Sequence, residues 1–170
     1  MVLSQFSGNN SNRANTAFTV GLFTILGALS FEYLGGYQPC ELCLQQRLPY
    51  YIGLPVLALI IGGWKIIPVM LRITITLAVA ALFLWGAYLG TYHAGVEWGF
   101  WPGPTACTGT GEDVSFSDLM NIDANRVVPC DQVQLRILGI SLAGYNAVIS
   151  LLISAFLFWS VGGQWKRLKG

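Results

Sequence analysis

Apolar residues in this chain are gathered into four long blocks, separated by short polar turns and one long polar connection. The blocks run from about Ala17 to Leu34, Leu48 to Trp64, Val69 to His93 and Ile137 to Val161. Each approximates the roughly 20 residues needed to cross a hydrocarbon layer, the second being a little short. In such a layer the backbone must satisfy its own polar groups, so the blocks predict helices. Pro49 lies near the start of the second and Pro55 inside it, where a kink is expected unless neighbours compensate. Small residues recur in the fourth (Gly139, Ser141, Ala143, Gly144, Ala147), which suits close helix packing. The pattern therefore predicts one domain over residues 1–170: an all-α membrane protein, an antiparallel four-transmembrane-helix bundle with a long loop, about 94–133, between helices 3 and 4.

Composition agrees. Charged residues make up 10% of the 170, too few for a soluble surface, and the net charge of +1 gives no electrostatic case for nucleic acid. The polar stretch Met1 to Thr16 is followed by an apolar run too long for a signal-peptide core, which reads as a retained first membrane helix. Charge also orients the bundle. Arg13, Lys65, Arg72, Lys166, Arg167 and Lys169 fall at one end, the cytoplasmic one by the positive-inside rule. Both termini are then cytoplasmic. The first-to-second turn and the long loop, with most of the acids and only Arg47 and Arg126 of the basic residues, face the other compartment.

The loop begins Val96-Glu-Trp-Gly-Phe-Trp-Pro-Gly-Pro104, whose Trp98, Phe100 and Trp101 suit the headgroup layer. A short helix is expected near Phe116 to Asn121, capped by Ser115 or Ser117. Glu32, near the outer end of the first block, is within reach of water and receives no role.

All four cysteines, Cys40, Cys43, Cys107 and Cys130, lie on the predicted non-cytoplasmic side. Two structural disulfides in an oxidising compartment are one reading, and a zinc site is another, weakened by the exported location and the lack of a second close pair. Spacing favours a third. A bridge across two intervening residues restrains the unfolded chain little, yet keeps its sulfurs adjacent when reduced, as a redox device needs. Arg47, four residues past Cys43, shares its helical face and favours a thiolate. Cys107, in an exposed Pro-Thr-Ala-Cys-Thr-Gly-Thr-Gly stretch, is open to a partner thiol. A loop pair and a membrane-edge pair fit a relay, and a relay needs a two-electron sink. An ordinary structural disulfide, below about −300 mV, lies roughly 180 mV uphill as an acceptor for an oxidant near about −120 mV, or roughly 8 kcal/mol. A lipid-soluble quinone meets the need.

With Cys40-Glu-Leu-Cys43 followed by Arg47, a loop cysteine pair before the last span, and the stretches Tyr92-His-Ala-Gly-Val-Glu-Trp-Gly-Phe-Trp-Pro-Gly-Pro and Leu142-Ala-Gly-Tyr-Asn, the chain resembles the disulfide bond formation protein B (DsbB) family, in an alphaproteobacterial-like branch. The resemblance implies an enzyme of the bacterial inner membrane that reoxidises a periplasmic DsbA-like dithiol oxidase and passes two electrons to ubiquinone or menaquinone. It implies Cys40 and Cys43 as the quinone-reducing pair, Cys43 as the thiolate at the quinone ring, and Arg47 and His93 as quinone-site residues. Cys107 would be attacked by the partner, with Cys130 closing the loop bridge, and no metal is implied. A vitamin K epoxide reductase-like enzyme shares the four helices and the thiol chemistry, but there the Cys-x-x-Cys belongs near the last helix. A non-enzymatic tetraspan scaffold stapled by two disulfides is the remaining alternative.

Overall fold

A computed structural model describes residues 2–104, 129–131, 133 and 135–169. They form four long helices: α1 (Val2–Tyr33), α2 (Glu41–Gly62), α3 (Val69–Glu97) and α4 (Leu142–Lys169). A two-stranded hairpin, β1 (Arg136–Ile137) and β2 (Ile140–Ser141), precedes α4. The helices close a ring: α3 packs most extensively on α4, α4 on α1, α1 on α2 and α2 on α3.

The packing is that of a bundle in lipid. Large apolar side chains such as Phe23, Leu59, Trp85 and Leu151 point outward and are exposed. Polar side chains are buried along one stripe of α4, at Ser150, Ser154, Ser160 and Gln164. Ser154 donates to the Ala80 carbonyl across the α3–α4 seam at 2.8 Å. Where hydrocarbon surrounds the helices, such bonds and close small-residue packing replace a hydrophobic drive. The apolar centre is Leu57, Phe83, Ile153, Leu157 and Ala17, all fully buried. Gly90 marks the tightest seam: a Cβ there would stand 2.7 Å from the Ala147 nitrogen and 3.0 Å from the Ala143 carbonyl, both backbone atoms.

Three helices are long and apolar enough to cross a membrane: Asn10–Tyr33, Val69–Glu97 and Leu142–Lys166. Among the described residues α2 does not reach that standard, because Glu41, Gln45, Gln46 and Arg47 crowd its first turns. Its helix runs on through Pro49 and Pro55.

The ends of the elements differ from the blocks in the sequence. The first helix reaches back to Val2 rather than starting near Ala17, and Asn10 packs on Gly163 with its carbonyl accepting from Ser160 at 2.9 Å. The third runs on past His93 to Glu97. The fourth starts at Leu142 rather than Ile137, because Leu138 (φ 51°) and Gly139 (φ 83°) make a two-residue hairpin turn with Ile137 opposite Ile140. Ser141 then caps α4, its hydroxyl accepting from the Gly144 N–H at 3.2 Å. The helix expected at 116–121 lies outside the described residues.

One end of the bundle gathers Asn10, Arg72, Trp64 and Gln164: the Arg72 Nε donates to Gln164 at 2.6 Å and its guanidinium lies over the Trp64 ring. The opposite end gathers the start of α2, the end of α3 and the start of α4 around the cysteines.

Candidate functional site

Cys40 is the N-cap of α2 in extended conformation, and its sulfur accepts from the Cys43 backbone N–H at 3.3 Å. That geometry follows from the sequence. Pro39 precedes the helix, and a Cys-x-x-Cys at a helix start puts the first sulfur over the free N–H groups of the first turn. The two sulfurs are 2.9 Å apart, as free thiols. Cys40 is buried, and Cys43 half-buried.

The pair is electrostatically lopsided. The Cys43 S–H directed at its sulfur lowers the Cys40 thiol to about 4, against the opposing effect of burial and with further help from His93. Cys43 moves up, first because it is the donor to Cys40 and second because it is buried. The single negative charge of the reduced pair therefore rests on Cys40. A thiolate stabilised in this way favours the dithiol form and makes the couple more oxidising.

His93 and Cys130 flank Cys40, and Glu97 lies against His93. The His93 Nε2 lies 3.6 Å from the Cys40 sulfur. Cys130, disulfide-bonded, packs against it. The Cys40 sulfur, the His93 Nε2 and the Cys130 sulfur all lie within 4.8 Å of one another. Glu97, one turn beyond His93, brings a carboxylate oxygen to 3.8 Å from the same Nε2. In its disulfide, Cys130 has no thiolate to offer a metal.

The second sulfur faces elsewhere. An apolar cavity of about 430 Å³ lies between α1, α2 and α4, lined by Cys43 but not by Cys40 or His93. Phe23, Ile25 and Ile149 contribute apolar walls, while α2 adds Gln46, Arg47 and Tyr50. Arg47 pairs with Glu32 across the cavity, joining α2 to α1. A chain of side-chain bonds ties this wall to His93: Gln46 Nε2 to His93 Nδ1 at 2.7 Å, Asn146 Nδ2 to Gln46 Oε1 at 2.8 Å and Tyr50 OH to Asn146 Oδ1 at 2.7 Å.

The fold thus brings together Cys40, Cys43, His93 and Cys130, with Arg47 on the neighbouring cavity wall. Cys107 lies outside the described residues. His93 stands behind Cys40 and not on the cavity lining. Sequence reasoning passed over Gln46, Tyr50, Asn146 and Glu97 and left Glu32 idle. Asn146 and Glu97 do stand inside the quoted stretches, but neither gives a signal until its partners are known.

A bundle of apolar helices with a helix-capping thiol pair at one end defines a membrane thiol–disulfide protein. The chain belongs to the family Disulfide bond formation protein DsbB, which it matches over residues 12–160. It is also similar to the uncharacterized protein RP370 of Rickettsia prowazekii (strain Madrid E), at 28% identity over 146 residues, 82% of this chain and 80% of that protein. That likeness is consistent with an alphaproteobacterial-like branch. No solved structure matches the chain. Family membership carries a disulfide-bond-forming oxidoreductase role. Quinones are used in this family, and the cavity residues fit one: apolar walls for a ring and tail, a thiol, and an arginine to bind a carbonyl oxygen.

Proposed function

We propose that this protein is a quinone-coupled oxidase of the bacterial inner membrane, which reoxidises a DsbA-like periplasmic dithiol protein and delivers two electrons to ubiquinone or menaquinone. The observation that carries the reading is the division of the Cys-x-x-Cys pair. Cys40 lies beside Cys130, whereas Cys43 opens onto the apolar cavity.

That division supports the following steps. The partner's thiolate attacks Cys107 in a Cys107–Cys130 bridge, forms a mixed disulfide and releases the Cys130 thiolate. Cys130 then attacks Cys40, the neighbouring sulfur, in an oxidised Cys40–Cys43 bridge. The leaving group is Cys43, so the thiolate appears at the cavity wall, beside Arg47, and not at the buried position. The remaining partner thiol attacks the mixed disulfide and departs oxidised, and the Cys107 thiolate it releases attacks Cys130 of the Cys40–Cys130 bridge, restoring the loop disulfide and leaving Cys40 and Cys43 as the reduced pair. A bound quinone supplies the final acceptor of two electrons and two protons. Arg47, fixed by Glu32, holds a positive charge at the wall and orients that acceptor. His93 acts on Cys40, keeping it available as a thiolate or as the electrophilic half of a bridge.

The two thiolate assignments belong to different states. With Cys40 bridged to Cys130, Cys43 carries the charge; in the free dithiol, Cys40 does. The basic end of the bundle supports cytoplasmic termini and a periplasmic cysteine site.

The test is reduction of a quinone analogue by the purified protein when it is given a reduced DsbA-like partner. No reduction would sink the reading. In a Cys43→Ser variant, which cannot form the Cys40–Cys43 bridge that Cys130 attacks, quinone reduction should be lost, and undiminished turnover would refute the assignment.

A further inference from the structure

Gln46 has no part in these steps, yet it joins the two halves of the site. With Cys43, Arg47 and Tyr50 it forms one stripe of α2, at positions i, i+3, i+4 and i+7, and all four line the cavity. Among the described residues it is also the cavity-lining side chain bonded to His93, which stands behind Cys40 and off that lining. The side chain is buried, and a buried amide is costly unless it is bonded. Here three helices supply the bonds. Gln46 Nε2 donates to the Leu42 carbonyl of α2 at 3.2 Å and meets His93 Nδ1 of α3 at 2.7 Å. Its Oε1 accepts from Asn146 of α4 at 2.8 Å, and Tyr50 secures Asn146 in turn, its hydroxyl donating to Oδ1 at 2.7 Å.

An imidazole needs such a hold. The outer torsion of a histidine is broad and roughly two-fold, so a half-turn of the ring exchanges each nitrogen with a carbon. After that half-turn a ring carbon would face the Cys40 sulfur in place of Nε2, now 3.6 Å from it. A bond to one ring nitrogen aims the other, and Gln46 holds Nδ1. Glu97 contacts the opposite nitrogen, its Oε1 lying 3.8 Å from Nε2. The remaining groups facing Cys40 are the Cys43 sulfur of α2, at 2.9 Å, and Cys130.

We propose that Gln46 is a positioning residue of the thiol pair: it holds the His93 ring with Nε2 toward Cys40, so that Cys40 departs as a stabilised thiolate when the Cys40–Cys130 bridge is exchanged. In that exchange the Cys107–Cys130 bond forms, the Cys40–Cys130 bond breaks and the electron pair leaves on Cys40, with no net oxidation. The proton given up by the partner's second thiol is taken by Cys43, so one charge remains on the pair. A sulfur with a lower pKa leaves faster. The inference rests on the proposed thiol steps, but its readouts involve no quinone and no partner.

The test follows the Cys40 thiolate absorbance with pH in reduced, quinone-free protein, where its midpoint is about 4. A hydrogen bond to a charged group changes an equilibrium about tenfold or more, so His93→Ala should raise the midpoint by about one pH unit or more. Gln46→Leu should raise it by part of that shift, and adding Gln46→Leu to His93→Ala should raise it no further. An unmoved midpoint in Gln46→Leu, or the same added shift when His93 is absent, overturns the proposal. A second measurement needs no variant. His93 is the only histidine in the chain, so isotope-labelled histidine gives ring signals from this site alone. Wild-type protein should show one ring orientation in magnetic resonance, with the Gln46 amide protons close to the ring. A ring exchanging between two orientations, or no such proximity, overturns the proposal. Failure of quinone reduction would leave both readouts unchanged, so the two readings fail separately.

Discussion

The chemistry turns on single side chains whose pairing sets their charge. Cys40 owes its thiolate to the Cys43 S–H, with His93 as a second aid, so its ionisation is a property of the pair. In the reduced protein the thiolate absorbance of one sulfur should persist through neutral pH and vanish as pH falls through about 4, the second sulfur ionising only well into the alkaline range. Two thiolates titrating together near pH 9 would refute this. Arg47 and Glu32 form the other decisive pair, with side chains 12% and 23% exposed. Arg47→Met strands a half-buried carboxylate and should destabilise the bundle by up to about 3 kcal/mol, the low end for breaking a buried pair, since Glu32 keeps some contact with water. Adding Glu32→Gln should recover thermal stability without recovering quinone reduction. Recovery of both would remove Arg47 from the site. The closeness of the two Cys-x-x-Cys sulfurs and the place of Arg47 on the same cavity wall as Cys43 were legible, because helical spacing fixes both. Glu32 was not, because a carboxylate at a helix end has water as its default partner, and only the fold shows Arg47 facing it.

Among elements, the end of α3 and the seam between α3 and α4 hold the site in register. Trp101 folds back over α3, its indole N–H donating to the Tyr92 carbonyl at 2.9 Å and its ring lying where a Cβ on Gly95 would sit. Gly95 separates His93 from Glu97, so the aromatic clamp fixes the turn that carries both. The clamp gives Trp101, itself 40% exposed, a packing contact on α3 in addition to its interfacial place, and Trp98 and Phe100 are more exposed still. At Gly90 the neighbours are backbone atoms of α4, which cannot rotate away. Gly90→Ala should therefore cost about 1–3 kcal/mol by forcing the helices apart. Denaturation of the purified protein measures this, and a neutral result would mean that the seam relaxes. The hydrophobic blocks located all four helices, although among the described residues only three are long and apolar enough to cross a membrane. Their ends were less legible. Local devices decide them: the Leu138–Gly139 turn, the Ser141 cap, and contacts such as Asn10 on Gly163 that draw polar residues into α1.

For the molecule as a whole, the two ends of the bundle divide the work. One end is closed by Arg72, Trp64, Gln164 and Asn10, and the other is opened by a cavity that α1, α2 and α4 line jointly. Among the described residues α2 is the long helix that falls short of a membrane span, and it carries Cys40 at its cap, Cys43 and Arg47, so its polar first turns are what the neighbouring helices enclose. A ligand that fills the cavity ties three helices together, and its binding energy should appear as stability of the entire fold. A quinone analogue at about 100 times its dissociation constant should stabilise the folded protein by about 2.7 kcal/mol, read as a rise in the unfolding temperature. Filling the space from the protein side, with Ala28→Phe on the cavity lining, should abolish that rise while leaving Cys40 and Cys43 able to form their bridge. An unchanged rise in Ala28→Phe would place the ligand elsewhere. Loss of the bridge in the same variant would mean that cavity and thiol pair form one rigid unit, and that ligand entry and disulfide exchange cannot be separated by side-chain volume alone.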